Sequence, residues 1–281
     1  MSSQNIVILG AGFAGISAAK TLLKSQLSAH YHITLIDEHK VHLYTPDLYE
    51  IATAFTPKIT MQCLIRLKDS VVTPLSHIFP SSERISLVRE TVTAIDPERK
   101  KIKVGSGKSI SFDYLIVALG SVTNYYNIPG LQEYGYSLKT VQDGLVIHCH
   151  LDTFFQNLWS QKKTKKIEIV VGGGGATGVE SVCELPGAVK KLCKKYNYPQ
   201  NKVSIRLIEG SNQLCGSGER GTRIIAKRCQ GLGIKLDLET RITKVTSETI
   251  NIDAKAKKRV IPYDILLWTG GVMSHPLAAG L

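Results

Sequence analysis

Two glycine-rich hexapeptides are the residues in this chain whose type and spacing suit them to chemistry. The first is Gly10-Ala11-Gly12-Phe13-Ala14-Gly15 and the second is Gly173-Gly174-Gly175-Ala176-Thr177-Gly178. A Gly-X-Gly-X-X-Gly turn allows a sharp bend, lets bare backbone approach a pyrophosphate, and packs the following helix close to the preceding strand. The helix N-terminus then points its amides at the phosphates. Glycine makes up 24 of 281 residues, so three glycines at this spacing arise by chance in roughly one such chain in six. Context adds what the spacing lacks. Asp37 and Glu209 each end the apolar run that follows one of the turns, where a carboxylate accepts hydrogen bonds from ribose hydroxyls. The residues thus predict two dinucleotide sites. Glu209 would repel a 2′-phosphate and favours NADH over NADPH, and Arg206, three residues earlier, does not replace it.

The elements that must position these turns are legible as two repeats of one pattern. Residues 6–9 form a short apolar run of the kind buried on both faces of a sheet, and it stops at Gly10. Phe13, Ile16, Ala19, Leu22 and Leu23 then recur at helical spacing, and residues 33–36 form the next run. A short helical crossover makes the two strands parallel neighbours. The second copy runs from residues 167–171 through a helix to about Lys195, with a break expected at Pro186-Gly187, and on to residues 203–208. Between the copies, residues 41–56 are irregular and carry Pro46, which suits a loop and a short helix over a ligand. Residues 84–104 alternate like a small antiparallel addition, and residues 114–119 form another apolar run closed by Gly120.

Composition narrows the class. The chain has 281 residues with 43% apolar content, enough for two cores, and no apolar run approaches the roughly 18 residues needed to cross a bilayer. Its start shows no basic segment or cleavage site, so a cytoplasmic location is expected. The six cysteines, Cys63, Cys149, Cys183, Cys193, Cys215 and Cys229, contain no Cys-X-X-Cys pair, and reduced, mostly buried thiols are expected rather than zinc or a redox dithiol. No metal site is expected, and His148-Cys149-His150 reads as structural. The formal charge of +12 gathers in clusters at Lys162, Lys163, Lys165 and Lys166, at Lys190, Lys191, Lys194 and Lys195, and at Lys255, Lys257, Lys258 and Arg259. These read first as a solvated rim and next as contacts for an anionic membrane surface. Nucleic acid is not expected, since no matching motif accompanies them.

Several segments are narrower than the general pattern: residues 42–53 (HLYTPDLYEIAT), residues 118–131 (ALGSVTNYYNIPGL), Ser137-Leu138-Lys139-Thr140, Gly178-Val179-Glu180 and Trp268-Thr269-Gly270-Gly271-Val272. Through them, from residue 5 to residue 280, the chain resembles the type II NADH dehydrogenases. These are single-subunit NADH:quinone oxidoreductases of the two-dinucleotide, pyridine nucleotide-disulfide oxidoreductase-like flavoproteins. The resemblance implies an α/β fold of two Rossmann-like domains, with parallel sheets and small antiparallel additions. The FAD-binding domain (residues 1–122, resumed at 263–281) would be interrupted by the NADH-binding domain (residues 123–262). It implies that the first turn, Asp37, Val92, Ala118 and Gly120 hold FAD, and that the second turn, Glu209 and Gly270 hold NADH. Glu180 would lie beside the nicotinamide, although a carboxylate in a helix's first turn is also stabilised by the helix dipole. Pro46 and Leu48 would lie near the flavin and quinone, or serve turn and core.

The implied reaction passes a hydride from NADH to flavin and electrons on to a quinone. Implied partners are these small molecules, the inner face of the plasma membrane as a peripheral contact, and a second copy in a homodimer. The chain departs from its relatives at Thr45 and Asp47, where glutamine and leucine are usual, at Ala176 in place of a common proline, and at Gly172 in place of a strand valine. A charge at Asp47 sits badly in an apolar quinone slot. Relatives also continue past residue 281 with a flavin-binding strand and a membrane-docking region. For these 281 residues alone the expectation is weak flavin retention, leaving two alternatives: an NADH-binding module with an incomplete flavin site, or an NADH-dependent reductase with another acceptor.

Overall fold

Apolar runs that stop at glycine become parallel strands here, and the turns sit at the strands' C-terminal ends. The computed structural model describes residues 4–25, 30–55, 68–255, 257–279 and 281, so Cys63 and residue 56 lie outside the described residues. The chain divides into two compact units, one comprising Met1–Tyr44, Val71–Val122 and Met273–Leu281, the other Thr45–Ser70 and Thr123–Val272.

The first unit is built on a four-stranded parallel sheet in the order Ile85–Arg89, Tyr31–Asp37, Gln4–Leu9, Tyr114–Val117. Gln4–Leu9 and Tyr31–Asp37 pair in register from Gln4↔Tyr31 to Leu9↔Ile36, with the helix Phe13–Lys24 as their crossover. Alternation along the strand sends Ile6 and Ile8 to one face, where they meet Ile16 and Ala19 of that helix, together with Leu75 and Phe79. Val7 and Leu9 face the other way, onto Ile102, Val104 and Phe112. These last residues belong to or follow a three-stranded antiparallel sheet of Val92–Asp96, Lys101–Val104 and Ser109–Ser111. Both faces of the parallel sheet are therefore covered, which explains its unbroken apolar runs.

The second unit repeats the plan with five parallel strands in the order Tyr136–Ser137, Ile265–Trp268, Ile167–Gly172, Val203–Ile208, Lys235–Asp237. The helix Ala176–Lys195 packs on Ile167–Gly172 and Val203–Ile208. An antiparallel sheet of Thr240–Val245, Thr249–Ala254 and Lys257–Pro262 contributes Ile242, Val245, Ile250 and Ile252 to a core with Val170, Ile208, Leu266 and Trp268.

Four expectations are corrected. Residues 263–272 do not return to the first domain, because Ile265–Trp268 hydrogen-bonds to Ile167–Gly172 and completes the second sheet; the return comes at Met273. Residues 45–55 leave the first domain for the second, where the helix Leu48–Thr53 packs on Val141–Ser160 and Ala176–Lys195. Gly144 allows that approach, since a Cβ there would lie 3.1 Å from the Ile51 side chain. Pro186 does not break its helix, which runs without interruption from Ala176 to Lys195. Val182, Leu185, Ala188, Val189 and Leu192 are all buried along it, and their packing offsets the roughly 3 kcal/mol that an interior proline costs. Finally, Ile85–Arg89 is not part of the antiparallel addition but the edge strand of the parallel sheet, paired from Ile33↔Ile85 to Asp37↔Arg89. An edge strand is covered less completely than a central one, and its alternation looks antiparallel in sequence.

Candidate functional sites

Each glycine turn is a tight closure whose dimensions recur in the other. Gly10 has φ +96° and donates its N–H to Ile36 O at 2.8 Å; Gly173 has φ +106° and donates to Ile208 O at 2.8 Å. A side chain is disfavoured at both, by the left-handed backbone and by space. A Cβ on Gly10 would overlap Ala118 O, and one on Gly173 would overlap the Gly270 backbone. Gly15 and Gly178 press against the carbonyl oxygens of Gly10 and Gly173 and leave no room for a Cβ. Gly12 and Gly175 are the opposite case, with open space where a Cβ would stand. Each precedes a helix, Phe13–Lys24 or Ala176–Lys195, whose first turn has no side-chain cap. Gly12, Phe13 and Ala14 are exposed, as are Gly175 and Ala176, with Thr177 half-buried. The result is a concave run of main-chain amides suited to a pyrophosphate, and the residues present fit that group.

The acids take matching positions. Asp37 Oδ2 accepts the Ala11 N–H at 2.6 Å while Oδ1 accepts the His39 N–H at 2.7 Å. Glu209 Oε2 accepts the Gly174 N–H at 2.6 Å while Oε1 accepts the Ser211 N–H at 2.6 Å. In each turn one oxygen holds the residue between the first two glycines and the other holds the residue two beyond the acid. An ionised carboxylate has about four acceptor positions, so each acid keeps capacity for ribose hydroxyls. Arg206 is engaged elsewhere, its Nε donating to Glu168 Oε1 at 2.8 Å and its Nη1 to Asp237. Sequence reasoning had no signal for Leu214 and Cys215, which lie beyond the acid. Leu214 Cδ2 packs on Gly174, and Cys215 N–H donates to Gly174 O at 2.8 Å.

Within the first unit, Gly10, Asp37, Val92 and Leu119 line one cleft, together with Glu90 and His275. Ala118 stands behind it, its N–H bonded to Leu9 O at 2.8 Å, and Gly120 follows with φ +71°. Phe13, 52% exposed, stacks edge-on against His42 at 4.8 Å and Tyr44 at 5.7 Å between ring centres. His42 Nδ1 is 3.0 Å from Ala11 O, which ties this aromatic group to the turn.

Within the second unit, a cleft of about 260 Å³ brings together Pro46, Leu48 and Glu180, along with Lys139, Thr177 and Trp268. Three side chains singled out from sequence thus share one wall. Leu48 is 2% exposed and serves the core as well as the cleft, whereas Pro46 is exposed. Glu180 is the fifth residue of its helix and not in the first turn, so the helix dipole explains its presence less well than the sequence implied. Burial, and then the negative charge of Asp47, push the Glu180 carboxyl above the usual carboxylate range. Burial pulls the Lys139 ammonium below the usual lysine range. The cap of helix Val141–Ser160 fixes this lysine's backbone: Asp143 Oδ2 accepts the N–H of Lys139 at 2.8 Å and of Thr140 at 2.9 Å. Gly172 is demanded by its neighbour, since a Cβ there would lie 2.7 Å from the Trp268 ring. Trp268 is held by a 2.8 Å bond from its Nε1 to Asn124 O.

Among the described residues there is no group of three or more His, Cys, Asp or Glu side chains arranged to hold a metal. His148 is buried and stacked on Phe55, ring centres 4.1 Å apart, and His150 Nδ1 lies 3.0 Å from the Tyr136 hydroxyl.

Comparison with known proteins agrees with this geometry. The chain is 26% identical over 277 residues to the type II NADH:quinone oxidoreductase of Staphylococcus aureus (strain NCTC 8325 / PS 47), a match covering 98% of this chain and 66% of that protein. It is 28% identical over 278 residues to the protein of the same name from Staphylococcus saprophyticus, with the same coverage. The chain thus spans just under two thirds of the length of these relatives. Its fold superposes with a TM-score of 0.82 on NDH2 from Plasmodium falciparum solved in complex with NADH, at 23% identity, covering 98% of this chain and 56% of that one. Residues 4–279 match the pattern of one family, and the chain belongs to it: the pyridine nucleotide-disulphide oxidoreductases.

Proposed function

We propose that this chain forms the dinucleotide-binding part of an NADH:quinone oxidoreductase, with FAD held at the first turn and NADH at the second. The observation that carries the reading is the duplicated turn, in which the same acid-to-amide bonds recur at Asp37 and Glu209. A flavin, if bound to the first unit, would supply the chemistry of hydride acceptance from NADH and two-electron transfer to a quinone. The protein's own residues bind, orient and exclude water. Gly10 to Gly15, with Ala118 and Gly120 behind them, hold one pyrophosphate; Gly173 to Gly178, with Gly270 behind them, hold the other. Asp37 and Glu209 take the riboses, and Val92 lines the flavin side.

Around the nicotinamide, Glu180, Pro46 and Leu48 form the wall, with Lys139 and Trp268 closing the cleft. The raised proton affinity of Glu180 lets it hold a proton more readily than an ordinary carboxylate, next to the group that changes charge. Glu209 selects NADH because it would meet a 2′-phosphate with like charge. The basic clusters at Lys162 to Lys166, Lys190 to Lys195 and Lys255 to Arg259 are exposed and suit peripheral contact with an anionic membrane.

The test is spectroscopic. The purified chain with added FAD should turn yellow, bleach with NADH under argon, and recover its colour when a soluble quinone is added. A colourless, inactive preparation at saturating FAD that still binds NADH in a calorimeter would replace this reading with an NADH-binding module. Bleaching by NADH without recovery by quinone would move the acceptor elsewhere.

A further inference from the structure

Three thiols distant in sequence come together near the second glycine turn. Cys183 lies on helix Ala176–Lys195 and Cys229 on helix Gly218–Gly231, and the two helices are in contact. The two thiols lie close enough to perturb one another's ionisation. Cys229 is fully buried and Cys183 half-buried, so a reagent from solvent reaches the second and not the first. Cys215, exposed, lies near enough to feel the charge of Cys183.

Electrostatics makes the pair unequal. The neighbouring Cys229 thiol lowers the Cys183 thiol to about 7; burial opposes this, Arg228 reinforces it, and Glu184 works against it. Cys183 in turn, and then burial, push the Cys229 thiol up. Elsewhere, burial alone raises the Cys193 thiol to about 11. One partner is therefore an accessible sulfur that ionises near neutrality, and the other is a sheltered thiol placed against it. A nucleophile with a resolving partner has this form. The absence of any Cys-X-X-Cys pair in the sequence hid it, because the two residues stand 46 positions apart.

We propose that Cys183 and Cys229 form a peroxide-sensitive dithiol whose oxidation links helix Ala176–Lys195 to helix Gly218–Gly231. The Cys183 thiolate attacks one oxygen of hydrogen peroxide or an organic hydroperoxide. The O–O bond breaks, hydroxide or alkoxide leaves and takes up the proton that the thiol released on ionising, giving water or an alcohol, and Cys183 becomes a sulfenic acid. Cys229 then gives up its proton and attacks the Cys183 sulfur; the S–O bond breaks, water leaves, and the disulfide forms. The thiols lose two electrons and the peroxide gains them. A dithiol reductant reverses the bond, as a transient disulfide in a reducing compartment requires. Cys183 is one helical turn beyond Glu180, so the link braces the helix that begins at the second glycine turn. This thiol chemistry stands whether or not a dinucleotide binds.

Peptide mapping of the full chain tests it. The reduced protein is treated with equimolar hydrogen peroxide at pH 7, alkylated under denaturing conditions and digested. The expected product joins the Cys183 and Cys229 peptides and disappears with dithiothreitol. Before oxidation, the rate at which iodoacetamide labels Cys183 should rise with pH about a midpoint near 7, so that labelling at pH 7 runs at roughly half its plateau rate. Cys229→Ser, or Cys229→Ala should the serine variant not fold, should leave Cys183 as a dimedone-trappable sulfenic acid, and Cys183→Ser should abolish both products. Labelling of Cys183 that begins to rise only above pH 8, a link from Cys183 to Cys215, or only intermolecular disulfides would overturn the proposal.

Discussion

Glu209 and Asp47 concentrate the residue-scale consequences of this structure, because one anchors a turn and the other charges a cleft. Glu209 holds the N–H groups of Gly174 and Ser211. Glu209→Ala should weaken NADH binding about tenfold or more, the loss of one to two hydrogen bonds to a charged group, and should narrow the preference for NADH over NADPH. Calorimetric titration with both nucleotides checks this; equal loss for the two would mean that the acid shapes the turn without reading the ribose. Asp47 contributes to the raised proton affinity of Glu180, after burial. Asp47→Asn should therefore lower the Glu180 pKa only part of the way toward an ordinary carboxylate, and carbon-13 NMR of the side-chain carboxyl gives the answer. The sign of the linkage follows. A carboxyl whose affinity for protons rises on folding favours the folded state at low pH, and that contribution disappears as pH climbs through the folded value. The Asp47→Asn chain should accordingly lose less stability than the parent as pH rises from the acid range to neutrality, which thermal unfolding across that window would show.

Elements show what the sequence made legible and what it concealed. The βαβ repeats, the parallel pairing of their strands and the matching of Glu209 to Asp37 were all readable, because a doubly covered parallel strand must be apolar throughout and must end where the backbone turns. Pro186 misled because local propensity predicts a break, whereas tertiary packing of Val182, Leu185 and Val189 outweighs it. Pro186→Ala should stabilise the protein by about 1–2 kcal/mol, the recovered helix hydrogen bond less the entropy regained by the unfolded chain; chemical denaturation measures it, and a destabilised variant would mean the helix is built around the ring. The strand Ile265–Trp268 misled differently, since an apolar run does not reveal which of two sheets it will join. Lys139 was legible only as part of the Ser137-Leu138-Lys139-Thr140 segment and without a role, and Cys215 not at all, because only folding brings them to the cleft and the turn. The glycine at position 172 is explained by the Trp268 ring that takes the space of a side chain.

The molecule as a whole carries 35 lysines and arginines against 23 acids. Several cations in the clusters are matched, as Lys165 is by Asp264, Lys195 by Asp152 at 2.8 Å and Lys255 by Glu239 at 2.7 Å. The clusters nonetheless keep a net positive surface on the second unit, where all of them reside. Binding to vesicles containing phosphatidylserine should be measurable at low salt and should fall steeply by 0.15 M, where the screening length is about 8 Å. Vesicles of phosphatidylcholine alone should not bind. Sedimentation of the protein with both kinds of vesicle decides, and salt-independent binding would point to apolar insertion in place of charge. No helix among the described residues is long and apolar enough to cross a membrane.

The bonds that tie Asp37 and Glu209 to their turns bear on how fast and how simply a nucleotide is captured. Fixing one residue's backbone costs about 1–2 kcal/mol, and here the fixing is done by the protein before any ligand arrives. Capture then proceeds as a single encounter with a preorganised cradle. In stopped-flow mixing the observed rate should climb linearly with nucleotide concentration and reach no plateau, because no slow loop rearrangement follows contact.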